Sequence, residues 1–179
     1  LNVEFYDRDL IEAAAKKMNM SVSIASDLEE SARPNRFWRM CFPLGHDESR
    51  KQDELFQVEK KIILDLADAK SCIIVGRCSD SILKCSKHLL RIFIYAPYKE
   101  RLKNCVERLK MDERTAKEMI RNVDRARDAY QVRYAGYLPG DFHYTDLLIN
   151  SSFLGVEATA QYLTELVLKK YGSHHIEEV

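Results

Sequence analysis

Apolar and polar positions follow two different rhythms along this chain, and the points where one rhythm yields to the other mark its elements. Three short runs rich in Ile, Val and Leu end abruptly in polar or Gly/Pro residues. They are Ser71-Cys72-Ile73-Ile74-Val75 before Gly76-Arg77, Leu90-Arg91-Ile92-Phe93-Ile94-Tyr95 before Ala96-Pro97, and Asp146-Leu147-Leu148-Ile149-Asn150 before Ser151-Ser152. Such runs predict strands, and their nearly unbroken apolar character predicts a buried parallel sheet. Residues 1–8 read as a further short strand ending in a polar turn, with a helix from about Asp9. Elsewhere the apolar positions fall three and four apart, the helical period. Residues 53–69 put Leu55, Val58, Ile62, Ile63 and Leu66 on one face and Glu and Lys on the other. Residues 157–170 repeat the pattern with Ala160, Leu163, Val167 and Leu168, and Gly172 supplies a C-terminal stop. Strands alternating with helices predict an α/β fold made of βαβ units.

Two stretches depart from this. Residues 112–134 are helical in period, but after Ile120 the basic residues outnumber the apolar ones, with Arg121, Asp124, Arg125, Arg127, Asp128 and Arg133 crowded together. That predicts a charged arm. Residues 21–50 have no sustained period and are broken by Pro34, Pro43 and Gly45, with Phe37, Trp38 and Phe42 among them. A structureless loop of that length is unusual, so the stretch reads either as an irregular lid over a site or as one from which residues are missing.

Composition narrows the class. A chain of 179 residues that is 46% hydrophobic is expected to form one domain spanning residues 1–179. Its 28 basic and 28 acidic residues cancel. No global field then draws it to nucleic acid or an anionic membrane, and any anion site must be local. The five cysteines (Cys41, Cys72, Cys78, Cys85 and Cys105) include no C-x-x-C pair. That argues against a disulfide framework and a zinc site and for a reducing cytoplasm. Neither a spanning apolar run nor a secretory signal pattern is visible, and the histidines suggest no metal site. Six glycines are scattered through the chain, and neither G-x-x-x-x-G-K-[ST] nor G-x-G-x-x-G occurs.

Four segments, in order and spacing, carry a family resemblance: Phe5-Tyr6-Asp7-Arg8-Asp9-Leu10-Ile11, Ile73-Ile74-Val75-Gly76-Arg77-Cys78-Ser79-Asp80, Leu90 to Pro97, and Asp146-Leu147-Leu148-Ile149-Asn150-Ser151-Ser152. Together they resemble the cytidylate kinase-like family of P-loop nucleoside monophosphate kinases, over nearly the whole chain except residues 21–50. The resemblance implies a three-layer α/β P-loop kinase fold. Its parallel five-stranded sheet is ordered 2-3-1-4-5, with helices on both faces and an Arg-rich helical lid, here at about residues 112–140. Strands two to five are then visible. Because strand one is central, its loss would leave buried N–H and C=O groups unpaired at roughly 1–3 kcal/mol each. The expectation is therefore of about 25 further residues upstream carrying a strand, a phosphate-binding loop and a helix.

The resemblance implies phosphoryl transfer from ATP, with Mg²⁺, to a small-molecule nucleotide. CMP or dCMP leads as acceptor, giving CDP or dCDP. The alternatives are a catalytically silent nucleotide- or partner-binding regulator of the same fold, or a kinase of a non-nucleotide small molecule. Such chemistry needs positive charge around the transferred group. Arg77, after a strand and Gly76, sits where ligands bind in open α/β sheets, and its guanidinium can fork onto a phosphate. The bland reading is a surface arginine closing a turn. Asp7 and Arg8 occupy the matching edge of the preceding strand. Asp7 reads equally as a ligand for an acceptor hydroxyl and as a helix N-cap, and Arg8 is placed toward the base or phosphate. Arg121, Arg125 and Arg127 resemble lid arginines that neutralise charge in flight, and Asp124 or Asp128 the residue that holds the acceptor ribose. Their bland reading is a solvated helix laced with i,i+4 ion pairs. Relatives carry Gly-Arg-Asp where this chain has Gly76-Arg77-Cys78, so recognition of cytosine falls to Asp80, if to any carboxylate here. Binding of ATP is assigned to no residue of this chain, nor is Mg²⁺, which the phosphate-binding loop and the nucleotide would hold.

Overall fold

The computed structural model describes residue 1, residues 3–7 and residues 49–172, apart from the side chains of 49–51. Arg8, the helix expected from Asp9 and most of the irregular stretch lie outside these residues. The described residues form two compact units that divide between Leu89 and Leu90.

In the first unit, β1 (Glu4–Tyr6) pairs in parallel with β2 (Cys72–Ile74), with Glu4 opposite Cys72 and Tyr6 opposite Ile74. The long helix α1 (Ser49–Ala69) connects toward β2, and a single-turn helix α2 (Ser79–Ile82) follows it. α1 starts four residues earlier than its apolar period indicated. Its buried residues are Phe56, Glu59, Ile62 and Ile63, spaced three and four apart. Ile63 and Leu83 centre an apolar cluster with Tyr6, Ala67, Ile74, Ile82 and Leu89, so the helix lies on the sheet through this stripe. Burying such side chains contributes roughly 1.5–3 kcal/mol each. The expectation that every glutamate of this helix lies on the polar face is corrected at Glu59, which lies within the buried stripe.

The second unit repeats the parallel pairing. β3 (Ile92–Tyr95) lies beside β4 (Leu147–Asn150), with Ile92 opposite Leu147 and Tyr95 opposite Asn150. After Pro97 comes α3 (Tyr98–Glu107), then α4 (Glu113–Ala135), then β4, a single turn α5 (Ser151–Leu154) and α6 (Val156–Tyr171). The start of α4 is fixed by Asp112, whose carboxylate accepts from the Thr115 N–H at 3.0 Å. Its end is fixed by Gly136 in the left-handed region. The charged arm is anchored at its start, because Ala116 and Ile120 are buried with Cys105 of α3 and packed against Leu102, Val106, Met111 and Met119.

Both strand pairs keep apolar side chains exposed, among them Phe5, Ile73, Ile94 and Leu148.

Below the paired strands, Asp146 accepts from Arg91 three times: from its backbone N–H at 2.8 Å, from Nε at 3.1 Å and from Nη2 at 2.9 Å. These contacts, led by those of the side chain, hold the Asp146 carboxyl below its ordinary 3.8. A depressed carboxyl contributes stability that is present above its unfolded value and lost as pH falls through the folded one. Asp146→Asn is expected to cost about 1 kcal/mol at neutral pH, a modest figure because the pair is partly open to water. In urea unfolding, the gap from the parent protein should narrow below about pH 4. A gap independent of pH would show that the ion pair contributes nothing.

Candidate functional site

In the first unit the carboxyl ends of β1 and β2 lie side by side, joined past the regular pairing by a Val75 N–H donated to the Tyr6 carbonyl at 2.9 Å. Asp7 therefore stands beside the turn that starts at Gly76. This turn is unusual: Gly76, Arg77 and Cys78 all have positive φ, at 80°, 56° and 54°. It closes with a Ser79 N–H donated to the Gly76 carbonyl at 3.1 Å. Left-handed backbone at a residue with a Cβ costs roughly 1–2 kcal/mol. Such strain persists only where the surroundings over-determine it, as they do at ligand sites. Here Cys78 is buried to 2% exposure beneath the turn and anchors it.

Arg77 is held by a partner that the apolar period did not reveal. Its Nε lies 3.1 Å from Oε1 of Glu59, and the two side chains are 11% and 0% exposed. The distance is that of an ion pair, although the angle departs from a hydrogen bond. Arg77 is thus not a surface arginine closing a turn. The spacing of Glu59, three residues after Phe56 and four before Ile63, puts it in the buried stripe, but an acidic side chain by itself signals a solvated position.

Burial, then the Asp80 charge, pushes the Cys78 thiol up to about 12, which excludes it as a nucleophile at neutral pH. Asp80, in the first turn of α2, thus lies within electrostatic reach of the turn. Cys85 is exposed. Under native conditions iodoacetamide is expected to label Cys85 and leave Cys78 unmodified over the same interval, read by peptide mass mapping. Equal labelling would show that the turn opens readily. Tyr6 packs in the apolar cluster and donates to Glu4, itself paired with Lys70, so Tyr6 serves packing.

The second unit places the arginines of α4. Arg101, one turn beyond Pro97, donates from both terminal nitrogens to Asp124, at 2.7 and 2.8 Å. Because only Ala96 and Pro97 separate β3 from α3, this fork ties the middle of α4 to the carboxyl edge of β3 and β4. At 3.6 residues per turn, Arg121, Arg125 and Asp128 share one face of α4, whereas Arg127 stands about 120° from Arg121. The structure therefore brings two of the three expected lid arginines together and separates the third. All three are exposed, as is Asp128, and none of the four has an ion pair among the described residues. The i,i+4 pair that α4 does make, Lys117 to Glu113, lies a turn before them. The bland expectation of i,i+4 ion pairs around these arginines is not what forms among the described residues. Asp124 is committed to Arg101, a residue that the sequence reading passed over and that only its place in the first turn after a strand could have flagged.

At the same edge, Asn150 accepts from the Ser152 N–H at 3.0 Å, and the Ser151 hydroxyl donates to the Tyr95 carbonyl at 3.2 Å. Among the described residues no three His, Cys, Asp or Glu side chains come together as a metal site. No helix among them is long and apolar enough to cross a membrane.

The sequence pattern that defines the cytidylate kinase-like family matches residues 1–153. Among solved structures, the fold is similar to that of an uncharacterized protein from Eubacterium ventriosum ATCC 27560. The TM-score is 0.68 and the identity 21%, over 93% of this chain and 84% of that one. No curated protein matches the sequence.

Proposed function

Because the chain belongs to the cytidylate kinase-like family, we propose that it serves transfer of a phosphoryl group from ATP to a nucleoside monophosphate, with CMP and dCMP the leading acceptors. The observation that supports this reading is the strained turn after β2, which carries Arg77 and starts beside the end of β1, where Asp7 stands. In this reading Arg77 grips the acceptor phosphate, and Gly76 supplies the bend that lets it do so. Asp7 takes a hydroxyl of the acceptor, Arg8 is assigned to its base or phosphate, and Asp80 is the remaining carboxylate for the base. Arg121 and Arg125 neutralise charge on the transferring group, with Arg127 contributing from its separate face. Asp128 takes the ribose in preference to Asp124, whose oxygens Arg101 already engages.

The two parallel pairs are read as strands two and three, and four and five, of one five-stranded sheet in a single kinase domain. Helices on both faces of such a sheet would cover Phe5, Ile73, Ile94 and Leu148, the apolar residues now exposed. ATP and Mg²⁺ would be held largely by a phosphate-binding loop. Thiols kept reduced in the cytoplasm fit the same reading.

The test is turnover with Mg·ATP and the full-length protein, offering CMP, dCMP, UMP, AMP and GMP in parallel with an acceptor-free control. Selective conversion of CMP or dCMP would support the proposal and show that Cys78 does not abolish cytosine recognition. Binding of a monophosphate without turnover would replace it with the regulatory reading. Neither binding nor turnover would leave a non-nucleotide acceptor as the surviving kinase reading.

A further inference from the structure

We propose that Glu59 is the positioning residue for Arg77: the buried carboxylate on α1 fixes the guanidinium at the carboxyl edge of β1 and β2 in the orientation that receives the acceptor phosphate. This rests on the functional reading of Arg77 and names the device that makes it work.

Three observations converge on it. Glu59 is fully buried in a stripe otherwise made of Phe56, Ile62 and Ile63. An apolar side chain there would pack the helix as well or better, because a buried ion pair gains little over a hydrophobic replacement. Stability alone therefore does not account for an acid at this place. Second, the approach is made at Nε, on the stem side of the guanidinium. The contact holds the guanidinium by charge and close packing rather than through a directional hydrogen bond, and so limits where the fork can lie, as bidentate recognition of a phosphate requires. Third, Arg77 is 11% exposed and stands on left-handed backbone anchored by the buried Cys78. The main chain and the side chain are thus constrained independently, and the result is a cation that is oriented before any ligand arrives. Preorganisation of this kind raises affinity by lowering the ordering cost of binding.

The experiment is calorimetric titration of the full chain with CMP, which needs no donor nucleotide. It compares the parent protein, E59Q, R77K and the double variant E59Q/R77K. E59Q is expected to weaken CMP binding at least fivefold and R77K at least tenfold. The double variant is expected to bind no more weakly than R77K alone, because Glu59 acts only through the arginine. A purely structural carboxylate would give a different cycle, with E59Q losing the same factor in both backgrounds, and that result would overturn the proposal. Undiminished or tighter CMP binding by E59Q would overturn it as well, the tighter case marking Glu59 as a competitor of the phosphate. Should E59Q fail to fold, E59D keeps the charge and withdraws it by one carbon. A loss of CMP affinity in E59D, absent when added to R77K, supports the assignment, and parent-like affinity removes it. If the parent protein binds no monophosphate, the functional reading falls and this assignment with it. If the parent binds and E59Q is unimpaired, only this assignment falls.

Discussion

Arg77→Ala is expected to unfold well below the parent protein and, where it remains folded, to bind the acceptor monophosphate at least tenfold more weakly. Both effects come from one guanidinium. Removing it leaves the Glu59 carboxylate, 0% exposed, without the partner 3.1 Å away. Breaking a buried pair from one side costs about 3–5 kcal/mol. Against a total stability of roughly 5–15 kcal/mol for a domain, that is a large share. The sequence alone places Arg77 at a strand end in a solvent-facing turn, where truncation would leave the fold intact. Burial of the side chain changes that expectation. Thermal unfolding combined with CMP titration separates the two effects, because R77K keeps a charge near Glu59 while losing the planar fork. Parent-like melting together with parent-like affinity in Arg77→Ala would remove Arg77 from both roles.

Gly140→Ala is expected to cost roughly 2–4 kcal/mol, combining backbone strain with overpacking. Gly140 has φ +75°, and a Cβ added there would stand 2.7 Å from Cδ1 and from Cε1 of Phe93. That separation is too short for carbon atoms, and the neighbour is a ring on β3, next to β4 in the second sheet. Either the ring leaves its rotamer or the turn shifts away from the strand. Gly136→Ala provides the control, because its φ is +86° but a Cβ would meet nothing within 4 Å. It should show only the backbone part, about 1 kcal/mol. Urea unfolding of the two variants reads the difference directly, and equal losses would show that Phe93 yields without cost.

Much of the local structure was legible along the chain. The strand at residues 92–95 is visible because Ile92-Phe93-Ile94-Tyr95 is apolar and then stops at Ala96-Pro97, where the backbone cannot continue the ladder. The start of α4 is equally visible, since Asp112 precedes a helical period and its carboxylate can satisfy an early N–H. The site was legible as a set of residues and not as an arrangement. Position after a strand pointed to Arg77, and a crowd of arginines pointed to α4. Neither signal says that Arg77 meets Glu59, or that Asp124 is already taken by Arg101.

The amino-acid sequence by itself determined the alternating strands and helices, the turn at Gly76, the basic character of α4 and the family to which these belong. Each of these is encoded within a few consecutive residues, by side-chain period, capping groups or backbone freedom. The tertiary structure alone decided which charges are neutralised and which stay exposed. Glu59 and Arg77 are eighteen residues apart, and Arg101 and Asp124 twenty-three. Such pairings depend on how α1 lies on β2 and how α3 lies on α4. Those placements are set by burial of Ile63 and Leu83 in one unit and of Cys105, Ala116 and Ile120 in the other. Apolar packing thus fixes the helices first, and the charges that come into reach as a consequence divide the arginines into those held by a carboxylate and those left facing water.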